Sequence, residues 1–399
     1  MWELVLALLL GVVIGTLTGL APGIHVNLIA AFLVASLDKF HSVPAIALVS
    51  FIASLSITHI VVDFIPSIFL GAPEEDSFLA ILPGHQMLRE GHGFSAVVYA
   101  CYGALIAVPV LVLATPLYIY FLPSLYPLLK TALPFILIFI SCYLILREER
   151  PVISFLIFSL AGLLGLLTFN LPVKEPLMPL LTGLFGISSL LVASKNKEKI
   201  KKQTIVPIRK IYLSRKELIR TFSAASIAAP LCSFLPGIGS GHAAVIGSEI
   251  VPQNNRSFLA LIGAINIIVM SLSFVTVFAI SRARSGSAAA MQDILGTITL
   301  QHIIITLMVI IFSALFSIII SIYLARRAST LLNKVNYSIL SKSIIAVLVL
   351  LVILFSNWLG FIVALTASSI GILCISLNVR RINLMASLIL PAIVFYLLH

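Results

Sequence analysis

The stretch GTLTGLAPGIHVN, Gly15 to Asn27, decides how this chain is read. It lies where a first membrane-spanning helix should run on, yet it holds Gly15, Gly19, Pro22 and Gly23 together with His25 and Asn27. Backbone in hydrocarbon normally stays helical, because an unpaired N–H or C=O there costs several kcal/mol. Proline lacks the N–H and pushes its predecessor out of the α region, and glycine then lets the chain turn sharply. Such a break at membrane depth is tolerated where the backbone lines a cavity or is covered by protein.

The surrounding sequence supplies the membrane. Of 399 residues, 60% are hydrophobic and 10% are charged. Apolar runs of about 18 residues or more recur from end to end, each long enough to cross roughly 30 Å of hydrocarbon. Apolar segments, the shorter ones included, fall near 2–20, 24–37, 44–70, 94–121, 131–146, 151–169, 176–194, 221–235, 238–250, 257–281, 296–325, 343–376 and 383–398. The 343–376 run is too long for one crossing, and Asn357-Trp358-Leu359-Gly360 marks a hairpin within it. The fold class is therefore an all-α polytopic membrane protein of roughly 10–12 spans, and the expected location is the plasma membrane. The alternation of an outer-membrane barrel is absent. The N-terminus MWELVLALLL carries Glu3 where a secretory leader carries Lys or Arg, and its apolar run continues too far, so it reads as a retained span.

Net charge is +11, from 25 basic and 14 acidic residues. In a membrane chain this is a topology signal, because cytoplasmic loops collect Lys and Arg, and it does not point to nucleic acid. Ten of the 25 basic residues lie in KNKEKIKKQTIVPIRKIYLSRKELIR, Lys195 to Arg220. The other clusters are at Arg147–Arg150, Arg326–Arg327, Lys334, Lys342 and Arg380–Arg381. One cytoplasmic face for all requires that no two clusters be separated by an odd number of crossings. Cys101, Cys142, Cys232 and Cys374 are scattered in apolar segments, with neither zinc spacing nor a disulfide framework, and read as small hydrophobes.

The basic segment divides the chain into 1–194, a linker 195–220, and 221–399. Both halves open alike, with IGTLTGLAPGIHVNLIAAFL in the first and IAAPLCSFLPGIGSGHAAVIG in the second. Pro22-Gly23-Ile24 matches Pro236-Gly237-Ile238. At nearly equal distances beyond, a long span ends in a polar, small-residue stretch: FLGAPEEDSFLA, Phe69 to Ala80, and FAISRARSGSAAA, Phe278 to Ala290. Two landmarks at matched spacing indicate an internal duplication. Repeated halves with broken helices at corresponding places point to a secondary transporter's binding site, here two inverted repeats each with a PG-broken or re-entrant hairpin. The N–H groups at each new helix start carry partial positive charge and can hold an anion. A single such break would be an ordinary proline kink.

The residues also carry a family pattern. The first half resembles TctA-type permeases, the large membrane subunit of tripartite tricarboxylate transporters. Gly11, Gly15, Gly19, Pro22 and Gly23 follow that family's N-terminal GxxxGxxPG spacing, and Gly71, Pro73, Gly84, Met87 and Gly91 fall in register with its second glycine-rich stretch. PLMPLLTGLFGISSLL is similar to its segment before the central linker, and LPGIGSGHAA to its second PGxG motif. His25, Asn27 and Glu74-Glu75-Asp76 stand where the family has small or hydroxyl residues. The resemblance implies a carboxylate carrier, with a small membrane subunit and an extracytoplasmic binding protein as partners. LPGIGSGHAA is similar as well to the paired PG hairpins of polyprenyl-phosphate transporters, so a lipid phosphate head group stands as the alternative cargo.

The substrate-binding candidates are Pro22, Gly23, His25, Asn27, Pro236, Gly237, Gly239, Ser240, Gly241, His242, Arg282, Arg284 and Ser285. Histidine can bind an anion or relay a proton near neutral pH, and arginine grips carboxylate or phosphate through a planar fork. His242 and His25 read equally well as satisfied core residues, and the arginines as snorkelling residues at a membrane edge. Polar groups inside spans are expensive and usually face a cavity or each other. His59 and Asp63, four apart on one helical face, and Glu74, Glu75 and Asp76 are the candidates for a coupling ion, H⁺ or Na⁺. His59 and Asp63 could equally be a mutually satisfied pair. HIVVD lacks the glutamate of an HExxH zinc site. Neither a nucleophile–base pair nor a nucleotide loop is present, so the expected function is transport of a small organic anion, without enzymatic activity or cofactor.

Overall fold

Lipid tails give two apolar helices no hydrophobic reason to associate, so close backbone approach at small residues holds them together. Helix α1 (Trp2–Leu20) carries such a stripe at Gly11, Gly15 and Gly19, and these lie against Ser54, Thr58 and His59 of α3 (Ala45–Val62). A Cβ at Gly15 would stand 2.6 Å from the Leu55 carbonyl oxygen. The opposite face of α1, with Val13 and Leu17, is exposed, as a lipid-facing surface should be. The computed structural model describes residues 2–21, 26–70, 81–195, 201–233, 239–332 and 337–398.

The first half continues with α2 (Val26–Ala35), α4 (Phe64–Leu70), α5 (Ile81–Arg89), α6 (Gly93–Leu146), α7 (Pro151–Asn170), α8 (Leu177–Leu181), a π-helical stretch Thr182–Ile187, and α9 (Ser188–Lys195). The second contains α10 (Arg215–Cys232), α11 (Ser240–Ile250), α12 (Asn255–Ile280), α13 (Gly286–Leu295), α14 (Leu300–Leu332), α15 (Tyr337–Ser376) and α16 (Ala386–Leu398). No strand occurs among the described residues, and eight helical segments among them are long and apolar enough to cross a membrane.

Two elements depart from the sequence reading. The runs 94–121 and 131–146 belong to one helix, α6, with five internal prolines between Pro109 and Pro134. A straight helix from Tyr99 to Arg147 would measure about 72 Å. Yet Tyr99 packs on Arg256 and Arg147 pairs with Glu249, seven positions away in the chain, a separation of at most about 25 Å. The helix therefore folds back on itself. The basic linker, expected to reach residue 220, ends earlier, because Ser214 and Glu217 form a reciprocal capping box that starts α10 at Arg215. The 44–70 run holds as one candidate crossing, Ala45–Leu70, with α3 passing into α4 at Asp63.

The hairpin expected at Asn357 is present. Ile344 and Leu348 pack with Ile187 and Leu190, whereas Ala367 and Gly371 lie against Gly183, Leu184 and Ser188. Val352 and Ala364 share Met178. Both arms thus lie along one helix in opposite order. Asn357 makes the turn at φ 64° and ψ −173°, its Nδ2 donating to the Pro172 carbonyl and its Oδ1 accepting from the N–H groups of Leu359 and Gly360.

The basic clusters converge. Gln203 accepts from the Gly93 N–H and donates to the Leu88 carbonyl; Tyr102 donates to the Ile211 carbonyl; Arg380 pairs with Glu148 at 2.7 Å. The linker, the 147–150 cluster and Arg380 therefore share one face, the one that the excess of Lys and Arg assigns to the cytoplasm. The chain is a multi-pass plasma-membrane protein.

Packing between the halves is reciprocal. Helix α6 of the first packs on α12 of the second, and α14 of the second on α3 of the first, where Ser321 donates to the Val61 carbonyl. At the α6–α12 crossing, Cβ atoms built at Gly103 and Gly263 would come within 2.0 Å of the Ala260 oxygen and 2.2 Å of the Ala100 oxygen. Helix α1 runs alongside α3 in the same direction, toward the basic face, and α10 starts at that face and runs away from it.

Candidate functional site where the two halves meet

The site is built around the start of α13, the helix that follows the second polar stretch. Ser285 caps it, its Oγ accepting from the Ala288 N–H at 3.2 Å and standing 3.0 Å from Ser273 Oγ of α12. Ser287, in the first turn, takes a 2.9 Å hydrogen bond from Ser56 of α3. Gly286 has no side chain because the space is filled: a Cβ there would lie 2.8 Å from the side chain of Asn27. One helix start therefore joins residues of α2 and α3 from the first half to α12 and α13 of the second. Its unpaired N–H groups leave a partial positive charge, worth roughly half an elementary charge.

Asn27 is exposed at the start of α2, four residues after Gly23 in the sequence. Pro22, Gly23 and His25 lie outside the described residues, as do Pro236, Gly237 and the acidic trio Glu74, Glu75 and Asp76. The His242 side chain is likewise outside them, although its backbone belongs to α11. Gly239, Ser240 and Gly241, at the entry to α11, are buried.

The residues flanking both PG motifs, Pro22-Gly23 and Pro236-Gly237, are described, and each flank is anchored by a hydroxyl. Before the first motif, Thr18 Oγ1 lies 3.0 Å from His59 Nδ1, and a Cβ at Gly19 would meet the His59 carbonyl at 2.7 Å. Before the second, Ser233 donates to the Tyr118 hydroxyl at 2.9 Å, and Tyr118 lies 3.0 Å from Thr276 Oγ1. The two arginines part company. Arg284 is half-buried, and its charge bears on Tyr118 and on Cys232, which precedes Pro236 by four residues. Arg282 is exposed, its guanidinium 5.6 Å from the centre of the Tyr126 ring. Of the pair, Arg284 is the more buried and the one whose charge reaches Tyr118 and Cys232.

His59 and Asp63 are both buried, 6% and 3% exposed. His59 Nδ1 lies beside the Thr18 hydroxyl, and the Ser67 hydroxyl donates to Asp63 Oδ1 at 3.3 Å. Asp63 stands where α3 passes into α4, its N–H donating to the His59 carbonyl and its own carbonyl accepting from the Ser67 N–H, one turn past the histidine that touches Thr18. No cluster of three metal-ligating side chains occurs among the described residues.

Sequence reading missed Thr18, Ser56, Tyr118, Ser233, Ser273, Thr276 and Ser287. A signal existed in the recurrent hydroxyls of α3 and α12, but many such groups satisfy themselves on the carbonyl one turn back, as Ser50 does on Ile46, Ser271 on Ile267 and Thr276 on Leu272. Spacing alone does not separate those from the hydroxyls that also reach across.

Residues 5–386 match the family described as the tripartite tricarboxylate transporter TctA family. An uncharacterised protein of Methanocaldococcus jannaschii is 31% identical, over 98% of this chain and 98% of its own. No solved structure matches the chain.

Proposed function

Because the chain belongs to the tripartite tricarboxylate transporter TctA family, we propose that it is a secondary transporter of a tricarboxylate-type organic anion, coupled to H⁺ or Na⁺, with its site at the junction of the two halves. The single observation that carries the siting is the start of α13, where Asn27 and Ser56 of one half meet Ser285 and Ser287 of the other beside the half-buried Arg284. An anion stripped of water needs compensating charge, and half a helix-dipole charge is too little alone. Arg284 adds a full charge and a fork of donors matched to a carboxylate.

In this reading 1–194 and 221–399 are inverted repeats. The opposite directions of α1 and α10 support it, as does the reciprocal packing of α6 on α12 and α14 on α3. One bundle rocking against the other around the fixed site would expose it to each side in turn. His59, against Thr18 and Gly19, and Asp63 one turn on are the groups best placed to take the coupling ion. A small membrane subunit and an extracytoplasmic binding protein complete the assembly, as the family's tripartite description suggests.

Uptake of radiolabelled citrate into proteoliposomes holding the purified chain, under an imposed Na⁺ or pH gradient, tests the proposal. Accumulation that collapses with one of the two gradients is the expected result. Absence of uptake for citrate and for dicarboxylates alike, with the small subunit and binding protein supplied, would overturn it.

A further inference from the structure

The turn between α6 and α7, Arg147 to Arg150, has a hollow on each side. One, of about 600 Å³, lies between the end of α6, the start of α7 and α16, with Leu146, Pro151, Val152 and Phe155 next to the turn. Its one hydroxyl, on Ser141, is spent on the Leu137 carbonyl one helical turn back, so its walls present almost nothing but hydrocarbon. The other, of about 470 Å³, is lined by Arg147, Glu148, Glu149, Arg150, Ser154 and Arg380. The two adjoin, because Leu146 and Arg147, Arg150 and Pro151, and Ser154 and Phe155 are consecutive residues divided between them. The pair stands at the cytoplasmic face, with the apolar groove on the membrane side of the turn.

Most of the charge in the polar hollow is already committed. Arg147 pairs with Glu249, and Arg380 donates at 2.7 Å to Glu148, which also accepts from Asn383 at 3.0 Å. That leaves Glu149 and Arg150, adjacent and exposed, whose side chains enter no ion pair among the described residues. Ser154 is 1% exposed and lines the hollow, yet its Oγ has no hydrogen-bond partner. Buried polar atoms are almost always paired, so this hydroxyl points to a ligand. Helix α7 also starts without a cap: Arg150 supplies no side-chain hydrogen bond and Pro151 has no N–H, so the N–H groups of Val152 and Ile153 have no partner within the helix.

An apolar groove continuous with one free cation, one free anion, a buried hydroxyl and a bare helix start has a chemical complement. We propose that an inner-leaflet phospholipid with a phosphoethanolamine head group docks here. One acyl chain fills the groove. The phosphate sits over the start of α7, accepting from Arg150, from the free N–H groups and from the Ser154 hydroxyl, where the helix dipole favours it. The ammonium pairs with Glu149. A head group with no ammonium would set its phosphate beside an uncompensated carboxylate, and a free phosphate would leave the groove unused.

Cys142 lines the groove and is the one exposed cysteine of the four, so it reports occupancy on the wild-type chain. In the full detergent-purified protein, its modification by a maleimide should slow as dioleoyl-phosphatidylethanolamine is added. Phosphatidylglycerol with the same chains should need about two- to fivefold more lipid for equal protection, the range for an exposed ion pair. Glu149→Gln should erase that difference, and Arg150→Gln should weaken protection by both lipids roughly fivefold. Both side chains are exposed, and neither substitution removes a contact that the fold uses. Soluble phosphoethanolamine should leave the labelling rate unchanged, since it has no chain for the groove. No protection by either lipid, equal protection by both in wild type, a preference that survives Glu149→Gln, or protection by the soluble head group would each overturn the inference.

Discussion

Gly263→Ala tests whether the halves are held by backbone contact at the α6–α12 crossing. The new methyl would stand 2.2 Å from the Ala100 carbonyl oxygen and 3.0 Å from its carbonyl carbon. Carbon and oxygen pack at about 3.3 Å or more, so the helices must part by roughly 1 Å, because the obstructing atom is helical backbone and cannot rotate away. A gap of that size forfeits a quarter to a half of each contact's attraction along the crossing. Overpacking of this kind costs about 1–3 kcal/mol, and a backbone obstacle places it at the upper end. Replacing a helical glycine by alanine returns up to about 1 kcal/mol, leaving a net loss of about 2 kcal/mol. Gly103→Ala, whose Cβ would lie 2.0 Å from the Ala260 oxygen, should cost as much. The double variant should cost less than the sum, since one separation relieves both clashes. Gly239→Ala is the control, with no heavy atom within 4 Å of its Cβ position, and should stay within about 0.5 kcal/mol of wild type. Equilibrium unfolding in mixed detergent micelles measures all four. Wild-type stability in both Gly263→Ala and Gly103→Ala would refute the reasoning.

Further outcomes follow from other sites. Arg284→Gln should weaken citrate binding by roughly 1.5–3 kcal/mol, the range for hydrogen bonds to a charged group, with only partial recovery by lysine; Arg282→Gln, on the exposed residue over Tyr126, should leave it nearly unchanged, and calorimetry reads both. Asn357→Ala loses two backbone-N–H acceptor contacts and the bond to Pro172 while keeping a backbone that strains an L side chain, so it should destabilise by about 1–3 kcal/mol and Asn357→Gly by less, in the same unfolding assay. Burial pulls the Glu217 carboxyl upward, but hydrogen bonds from Asn254 and Ser214 and the charge of Arg256 outweigh it and hold the pKa below the usual range. Its contribution is thus present at neutral pH and lost as pH falls through the lowered folded-state value, so the stability gap between wild type and Glu217→Gln should close in acid. Solvent screening at this exposed cap keeps that gap under about 1 kcal/mol.

Legibility followed the length scale of each signal. Apolar runs of membrane length placed nearly every helix, because hydrocarbon thickness dictates them, and the Asn357 turn was visible because its run exceeded one crossing. The start of α10 was in principle equally visible in Ser214-Arg215-Lys216-Glu217, a capping-box spacing obscured by the surrounding positive charge. The fold-back of α6 was marked by its prolines, but local sequence does not say whether prolines bend a helix or reverse it. At the site, Asn27, Arg284 and Ser285 stood out as polar residues beside the repeated landmarks. Tyr118, Thr276 and Ser233 did not, since their role arises from three helices converging and each alone looks like a lipid-compatible hydroxyl. The difference between Arg282 and Arg284 also needed three dimensions: two positions along an irregular stretch decide which side chain is the more buried.

The most direct test of the central claim is a density map of the purified chain saturated with citrate. The account requires a compact anion at the start of α13, in contact with Arg284 and reached by residues of both halves, Asn27 from the first and Ser285 from the second. Density confined to one half, or a head group between the halves trailing a long apolar tail into lipid, would contradict it.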